Sequence, residues 1–248
     1  MSNIPPPQAW PAPPERWALF LDFDGTLVDL AASPDAIQLP AVLPALLHRL
    51  NTHFANALAI LTGRSLHSLD HYLAPPAWPA AGQHGAEIRW HAGRTDLMNT
   101  GNALAAARTR LQALAAHYPG LLLEDKGASM TLHYRAAPEL QQMARSWAEA
   151  LAAASAGELE VLAGKAVYEL HPAGINKGHA LQHFLSAPAF RDRKPLVIGD
   201  DVTDETAFVT ALKSGGSAIK VGSGATAAPW RLADAAAVRL WLASLVAA

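Results

Sequence analysis

The feature that most limits how this chain can fold is an apolar run that ends in paired acids, Leu19-Phe20-Leu21-Asp22-Phe23-Asp24-Gly25-Thr26-Leu27. The run reads as a buried strand, and residues two apart in an extended chain point to the same side. Asp22 and Asp24 therefore converge where the strand gives way to Gly25. Like charges so close need a compensating cation. Magnesium, a hard ion that takes a few oxygen ligands and keeps several waters, would supply it. On this reading Asp22 is nucleophile and ligand together. A strand followed by an ordinary Asx turn at Asp24-Gly25 accounts for the same residues, so the rest of the chain has to decide.

From Trp17 onward short apolar runs alternate with amphipathic stretches, the pattern of an α/β fold. Strands are expected at 17–22, 57–61 and 80–84, with a helix at 40–52 that puts Val42, Leu46, Leu47 and Leu50 on one face. A second helix carries Leu66, Leu69 and Tyr72 on its inner side. Together these predict a wound parallel sheet. Between Gly101 and Pro172 the style changes: a helix at 102–118, strands at 121–124 and 129–134, a helix at 138–154, then strands at 158–162 and 166–170. The wound pattern resumes with a helix at 177–185, a buried strand at 196–199, a helix after Thr203 and a strand at 217–221. The expected organisation is thus a discontinuous core, 15–101 and 173–248, with an inserted α+β cap at 102–172 and a loose proline-rich leader at 1–14.

Composition removes several classes of function. A chain of 248 residues with 51% hydrophobic and 16% charged residues can bury a substantial core. A formal net charge of -2 argues against a general nucleic-acid binder. There is no cysteine, so disulfides, zinc-thiolate sites and thiol catalysis are excluded. The leader lacks a basic start and a signal-length apolar stretch, and no apolar run is long enough to cross a bilayer. A soluble, cytoplasmic protein is expected.

In an open parallel sheet, ligands bind beyond the carboxyl ends of the strands, and the unusual polar residues all fall there. Thr62-Gly63-Arg64 offers a hydroxyl and free N–H groups that suit a phosphate oxygen, though a Thr N-cap with a glycine turn explains it equally. Asn176-Lys177-Gly178 puts a lysine in the first turn of a helix, where its charge opposes the macrodipole; a solvated surface lysine is the plainer account. Least easily dismissed is Asp200-Asp201-Val202-Thr203-Asp204-Glu205, directly after the strand Leu196–Gly199. Helix capping explains two of those four acids, and a bound cation explains the remainder.

In order and in strand-end placement, Asp22-Phe23-Asp24-Gly25-Thr26, Thr62, Lys177 and Gly199-Asp200-Asp201-Val202-Thr203-Asp204 resemble the four motifs of the haloacid dehalogenase superfamily. Within it, Gly82-Gln83-His84-Gly85-Ala86-Glu87, Glu124-Asp125-Lys126, Ser129, His133-Tyr134-Arg135, Gly164-Lys165 and Glu169 resemble the trehalose-6-phosphate phosphatase family. The resemblance implies a Rossmann-like core with a cap, and hydrolysis of trehalose 6-phosphate through an aspartyl-phosphate as the last step of trehalose synthesis. It implies Asp22 as nucleophile, Asp24 as acid and base, and Mg2+ held by Asp22, Asp200 and the Asp24 main-chain carbonyl. Thr62, Gly63 and Lys177 would bind the phosphoryl group, while Asp201 and Asp204 orient Lys177 and the magnesium waters. Arg64 and His84 belong to the implied substrate site, and Glu124, Lys126, Arg135, Lys165 and Glu169 would grip sugar hydroxyls. Alternate residues on a cap hairpin do expose such a row, although a solvated sheet face with cross-strand ion pairs has the same pattern. Other readings of the same motifs are a phosphatase or phosphomutase for a different sugar phosphate, and a catalytically silent sugar-phosphate sensor. The resemblance implies a small-molecule substrate, trehalose 6-phosphate, as partner, with no nucleic acid and no membrane; it does not identify protein partners.

Overall fold

The computed structural model describes residues 4–7, 13–31, 36–73, 78–90, 95–97, 101–164 and 166–247. It divides into two compact units, Met1–Thr95 with Asn176–Ala248, and Asp96–Ile175.

The first unit is built on a sheet in the order β12-β11-β10-β1-β2-β3-β4-β5. Its strands are β1 (Trp17–Leu21), β2 (Leu58–Leu61), β3 (Ala80–Gly82), β4 (Glu87–Arg89), β5 (Thr95–Leu97), β10 (Lys194–Gly199), β11 (Ser217–Val221) and β12 (Trp230–Leu232). The central strand β1 is parallel to β10 on one side and β2 on the other. All five of its residues are buried, as a parallel strand covered on both faces requires.

Its side chains alternate between two helical layers. Leu19 and Leu21 pack with α1 (Leu43–His53) and α7 (Ala235–Leu245), where Leu47, Leu50, Val238 and Leu242 are fully buried. Phe20 faces the other way and meets Phe184 of α5 (Lys177–Ser186), with ring centroids 5.9 Å apart. Helix α6 (Glu205–Lys213) packs beside α5. Asp22 continues the register of Phe20, on the side from which α5 approaches. A short helix α2 (Leu66–Tyr72), capped by Ser65, follows β2.

The wound sheet extends further than expected. The run at 80–84 ends as a strand at Gly82, and β4 then turns back antiparallel to β3. Beyond β11 the chain adds β12 and α7. Within the proline-rich N-terminal stretch, the Ile4 carbonyl accepts from Arg231 N at 2.9 Å, and the Pro7 carbonyl from Trp241 Nε1 at 2.9 Å.

The second unit is a four-stranded sheet, β6-β7-β9-β8, all neighbours antiparallel. It comprises α3 (Gly101–Ala115), β6 (Leu122–Asp125), β7 (Met130–His133), α4 (Gln141–Ala154), β8 (Leu159–Gly164) and β9 (Val167–Pro172). Met130, Leu132, Leu170, Leu104, Leu111, Ala144 and Ala148 form its core. One sheet face is therefore apolar and helix-covered; the other carries the alternate residues Glu124, Thr131 and Glu169. Among the described residues, no helix is long and apolar enough to cross a membrane.

Candidate functional site

At the end of β1 the Asp22 N–H donates to the Ile198 carbonyl at 2.9 Å, which extends the ladder and fixes the direction of the side chain. Asp22 is 4% exposed. Lys177 lies at the start of α5 because Asn176 caps that helix, its Oδ1 accepting from His179 N at 3.0 Å. The ammonium is buried and donates to Asp22 Oδ1 at 2.7 Å and to Asp204 Oδ1 at 2.8 Å. A lysine that opposes the helix dipole is accounted for by these two carboxylates. Burial pushes Lys177 down, but Asp204 and Asp22 outweigh it and hold the ammonium above the usual lysine range.

Asp204 is nearly inaccessible because Gly199 has no side chain: a Cβ there would lie 2.3 Å from Asp204 Cγ. Its Oδ2 accepts from Asp201 N at 3.0 Å. Asp200 approaches from the same loop, against Gly25. Gly25 has φ +80°, and a Cβ on it would fall 2.2 Å from Asp200 Oδ2. Asp22, Asp200 and Asp204 thus each bring a carboxylate oxygen within 4.8 Å of the others.

The Asp22 pKa is raised, chiefly by burial; Lys177 opposes this, and Asp204 and Asp200 add to it. Asp200 is raised by burial and by Asp204. One ammonium among three carboxylates leaves the cluster short of positive charge, and buried Asp22 Oδ2 has no hydrogen-bond donor. This donor set, all hard oxygen with one orphaned buried atom, fits a divalent cation such as magnesium.

Asp24 lies on the other flank of the loop. Arg64 grips its carboxylate with two prongs, Nε to Oδ2 and Nη2 to Oδ1, both at 2.7 Å. The guanidinium is stacked near Tyr72 and Phe23, 5.0 and 5.8 Å from their ring centroids. Thr62 is fully buried at the end of β2, and its Oγ1 accepts from Arg64 N at 3.1 Å. Gly63 makes room for His84, whose Cε1 would be 2.7 Å from a Cβ at that position. His84 lies in a run of three left-handed residues, Gln83 (φ 46°), His84 (φ 58°) and Gly85 (φ 115°). Glu87 stabilises that turn, accepting from Gln83 Nε2 and from Leu66 N at 2.7 Å each. Non-glycine residues in this region cost energy and concentrate at sites of function.

In the second unit, strand register aligns Glu124, Thr131 and Glu169 in one row across β6, β7 and β9. Lys126 Nζ and Thr131 Oγ1 both donate to Glu169 Oε2, at 3.0 and 3.2 Å. His133 Nε2 lies 2.9 Å from Glu124 Oε2 and, against the opposing effect of burial, holds that carboxylate below the usual range. Two residues beyond Glu169, His171 is buried and 3.4 Å from Glu160. Burial pushes its pKa down despite Glu160 and Glu169.

The structure brings Asp22, Lys177, Asp200 and Asp204 together, Asp24 with Arg64, and Gly63 with His84. Of Asp201 and Asp204, it is Asp204 that accepts from Lys177; the exposed Asp201 carboxylate accepts from the Thr203 hydroxyl at 3.1 Å. Arg135 is exposed in the turn after β7. Lys165 lies outside the described residues. Sequence reasoning missed Lys220, a buried lysine on β11 whose Nζ donates to the main-chain carbonyls of Asp200 and, at 2.9 Å, Val221. A lone lysine within an apolar strand was the available signal.

Comparison with known proteins adds a further line. The sequence model of the trehalose-phosphatase family matches residues 20–236. The chain is 42% identical over 208 residues to a probable trehalose-phosphate phosphatase of Sinorhizobium fredii, covering 84% of this chain and 78% of that one. It is 37% identical over 234 residues to a trehalose-6-phosphate phosphatase of Escherichia coli, covering 94% and 88%. The crystal structure of a trehalose-6-phosphate phosphatase related protein superposes with a TM-score of 0.76 at 28% identity, over 93% of this chain and 97% of that one.

Proposed function

The chain belongs to the trehalose-phosphatase family and is a phosphoric monoester hydrolase; on that premise we propose that it cleaves trehalose 6-phosphate by covalent catalysis on Asp22, with magnesium as cofactor. The supporting observation is the buried Asp22 carboxylate, held on one oxygen by Lys177 and lacking a donor on the other. A fixed, partly uncompensated carboxylate at a strand end is suited to attack.

Asp22 attacks phosphorus in line, forming an acyl phosphate as the bond from phosphorus to the sugar oxygen breaks. Asp24 gives its proton to the departing oxygen and then takes one from the water that hydrolyses the acyl phosphate. Both Asp24 oxygens are engaged by Arg64. Each oxygen keeps a lone pair beyond the one that Arg64 engages, and the proton is carried there. The Thr62 hydroxyl, the Gly63 N–H and Lys177 hold the phosphoryl oxygens. Asp22 and Asp200, with the Asp24 main-chain carbonyl, would hold the magnesium ion. When bound, it supplies charge that allows an anionic nucleophile to approach an anionic ester. Glu124, Lys126 and Glu169 read the sugar hydroxyls.

The test is phosphate release from a panel of sugar phosphates, with magnesium and with excess chelator. Preferential, magnesium-dependent release from trehalose 6-phosphate is expected. Equal rates across the panel, or interconversion of phosphate positions without release, would assign a general sugar phosphatase or a mutase. Binding without turnover would assign a sensor.

A further inference from the structure

The row of Glu124, Lys126 and Glu169 is anchored by a residue with no role in the chemistry above. Side chains alternate along β6, so Asp125 faces the helix-covered side when Glu124 faces the open one. Arg108, on α3, meets it there as a planar fork: Nε to Oδ2 at 2.7 Å and Nη2 to Oδ1 at 3.2 Å. The same Nη2 donates to the Gly127 carbonyl at 2.7 Å. Asp125 Oδ1 also accepts from Gly127 N at 2.9 Å, closing an Asx turn, and Lys126 N donates to the Ser129 carbonyl at 3.0 Å. The main chain is thus fastened on both sides of Lys126.

This clamp is poorly explained as a stabilising device. Its two side chains are 29% and 38% exposed, where solvent screening limits what even a two-pronged pair contributes to stability. Its effect is concentrated on one turn. Lysine is among the side chains with the most rotamer freedom to lose on being ordered, and its ammonium must reach Glu169. Fixing the Cα from which it projects is the available means of preorganisation.

We propose that Arg108 is a positioning residue for sugar recognition, clamping Asp125 and the Gly127 carbonyl so that Lys126 is presented to Glu169 and the sugar. This rests on the reading that Glu124, Lys126 and Glu169 bind sugar hydroxyls. Lysine cannot replace arginine here, because its single point of charge does not reproduce the two-pronged bond to Asp125 together with the bond to Gly127.

The experiment compares Arg108→Ala, Arg108→Lys, Lys126→Ala and the double variant Arg108→Ala/Lys126→Ala as full chains, with thermal unfolding alongside. The readout is the ratio of kcat/KM for trehalose 6-phosphate to that for p-nitrophenyl phosphate. Lys126→Ala should lower the ratio about 5- to 150-fold, the effect of leaving one buried polar partner unpaired. Arg108→Ala should lower it roughly 5- to 10-fold, mainly through KM, and Arg108→Lys nearly as much, since each loses part of the same interaction. The double variant should fall less than twofold below Lys126→Ala, because both changes act through one ammonium. If Lys126→Ala lowers the ratio while neither Arg108 variant does, this inference is overturned and the sugar-row reading stands. If Lys126→Ala leaves the ratio unchanged, both are overturned. Equal losses on the two substrates, or full additivity in the double variant, would assign Arg108 to folding of the unit and overturn the inference. Should Arg108→Ala fail to fold, Arg108→Lys carries the comparison.

Discussion

Asp22 keeps one oxygen on Lys177 and leaves the other without a donor, in a site short of positive charge. The amide of Asp22→Asn is nearly isosteric and can still accept from Lys177, but it cannot form an acyl phosphate. Turnover should fall by more than about a hundredfold, the least that general acid–base help alone supplies, while circular dichroism stays unchanged. Residual phosphate release above about one part in a hundred would refute the nucleophile assignment. A second residue-scale expectation concerns His171. Its pKa is held below the ordinary histidine value, so the folded state resists protonation. The sign follows from linkage: the stability is fully present above about pH 6.5 and is lost as pH falls through that value towards the folded pKa, where the unfolded chain binds the extra proton. In thermal unfolding followed from pH 7.5 to 5, the wild type should lose more of its Tm than His171→Gln. Parallel curves for the two proteins would rule this out.

Helix α5 lies so close to α6 that a Cβ on Gly178 would be 2.5 Å from the Thr206 carbonyl. Gly178→Ala should push α5 outward, cost roughly 1 to 3 kcal/mol as overpacking does, and displace the adjacent Lys177. A lowered Tm together with lost phosphate release is expected; unchanged values for both would show that the helices can separate freely. Strands β1, β2, β10 and β11 and helices α1, α3, α4, α5 and α6 were legible because long apolar periods and capping residues mark them. The short strands β4, β5 and β12 were not, since three residues carry no period. Asp22, Thr62 and Asp200 were legible as polar residues where apolar strands end, and Lys177 as a cation in the first turn of a helix. What no local pattern could supply was pairing at long range: the Arg64 grip on Asp24 and the Lys220 bonds behind Asp200.

For the molecule as a whole, a ligand that binds the folded state stabilises it by mass action. Magnesium at a hundred times its dissociation constant should add about 2.7 kcal/mol, raising Tm in the wild type and much less in Asp200→Ala. Excess chelator should silence phosphate release reversibly, and full activity in chelator would exclude the metal. The two units contrast in another way. Asp96–Ile175 is one uninterrupted stretch of chain, whereas the first unit joins Met1–Thr95 to Asn176–Ala248.

That interruption matters most while the protein is being made. Lys177 stands 155 positions beyond Asp22, and β1 has β10 as one of its two partners, so the strand that leads to Asp22 leaves the ribosome long before that side of it can be covered. The intervening unit has all of its own strands and can close during translation. The early segment must wait with apolar surface open to wrong partners, a natural client for chaperones. A truncation before Asp204 would therefore give a sticky, inert chain and not a weakened enzyme.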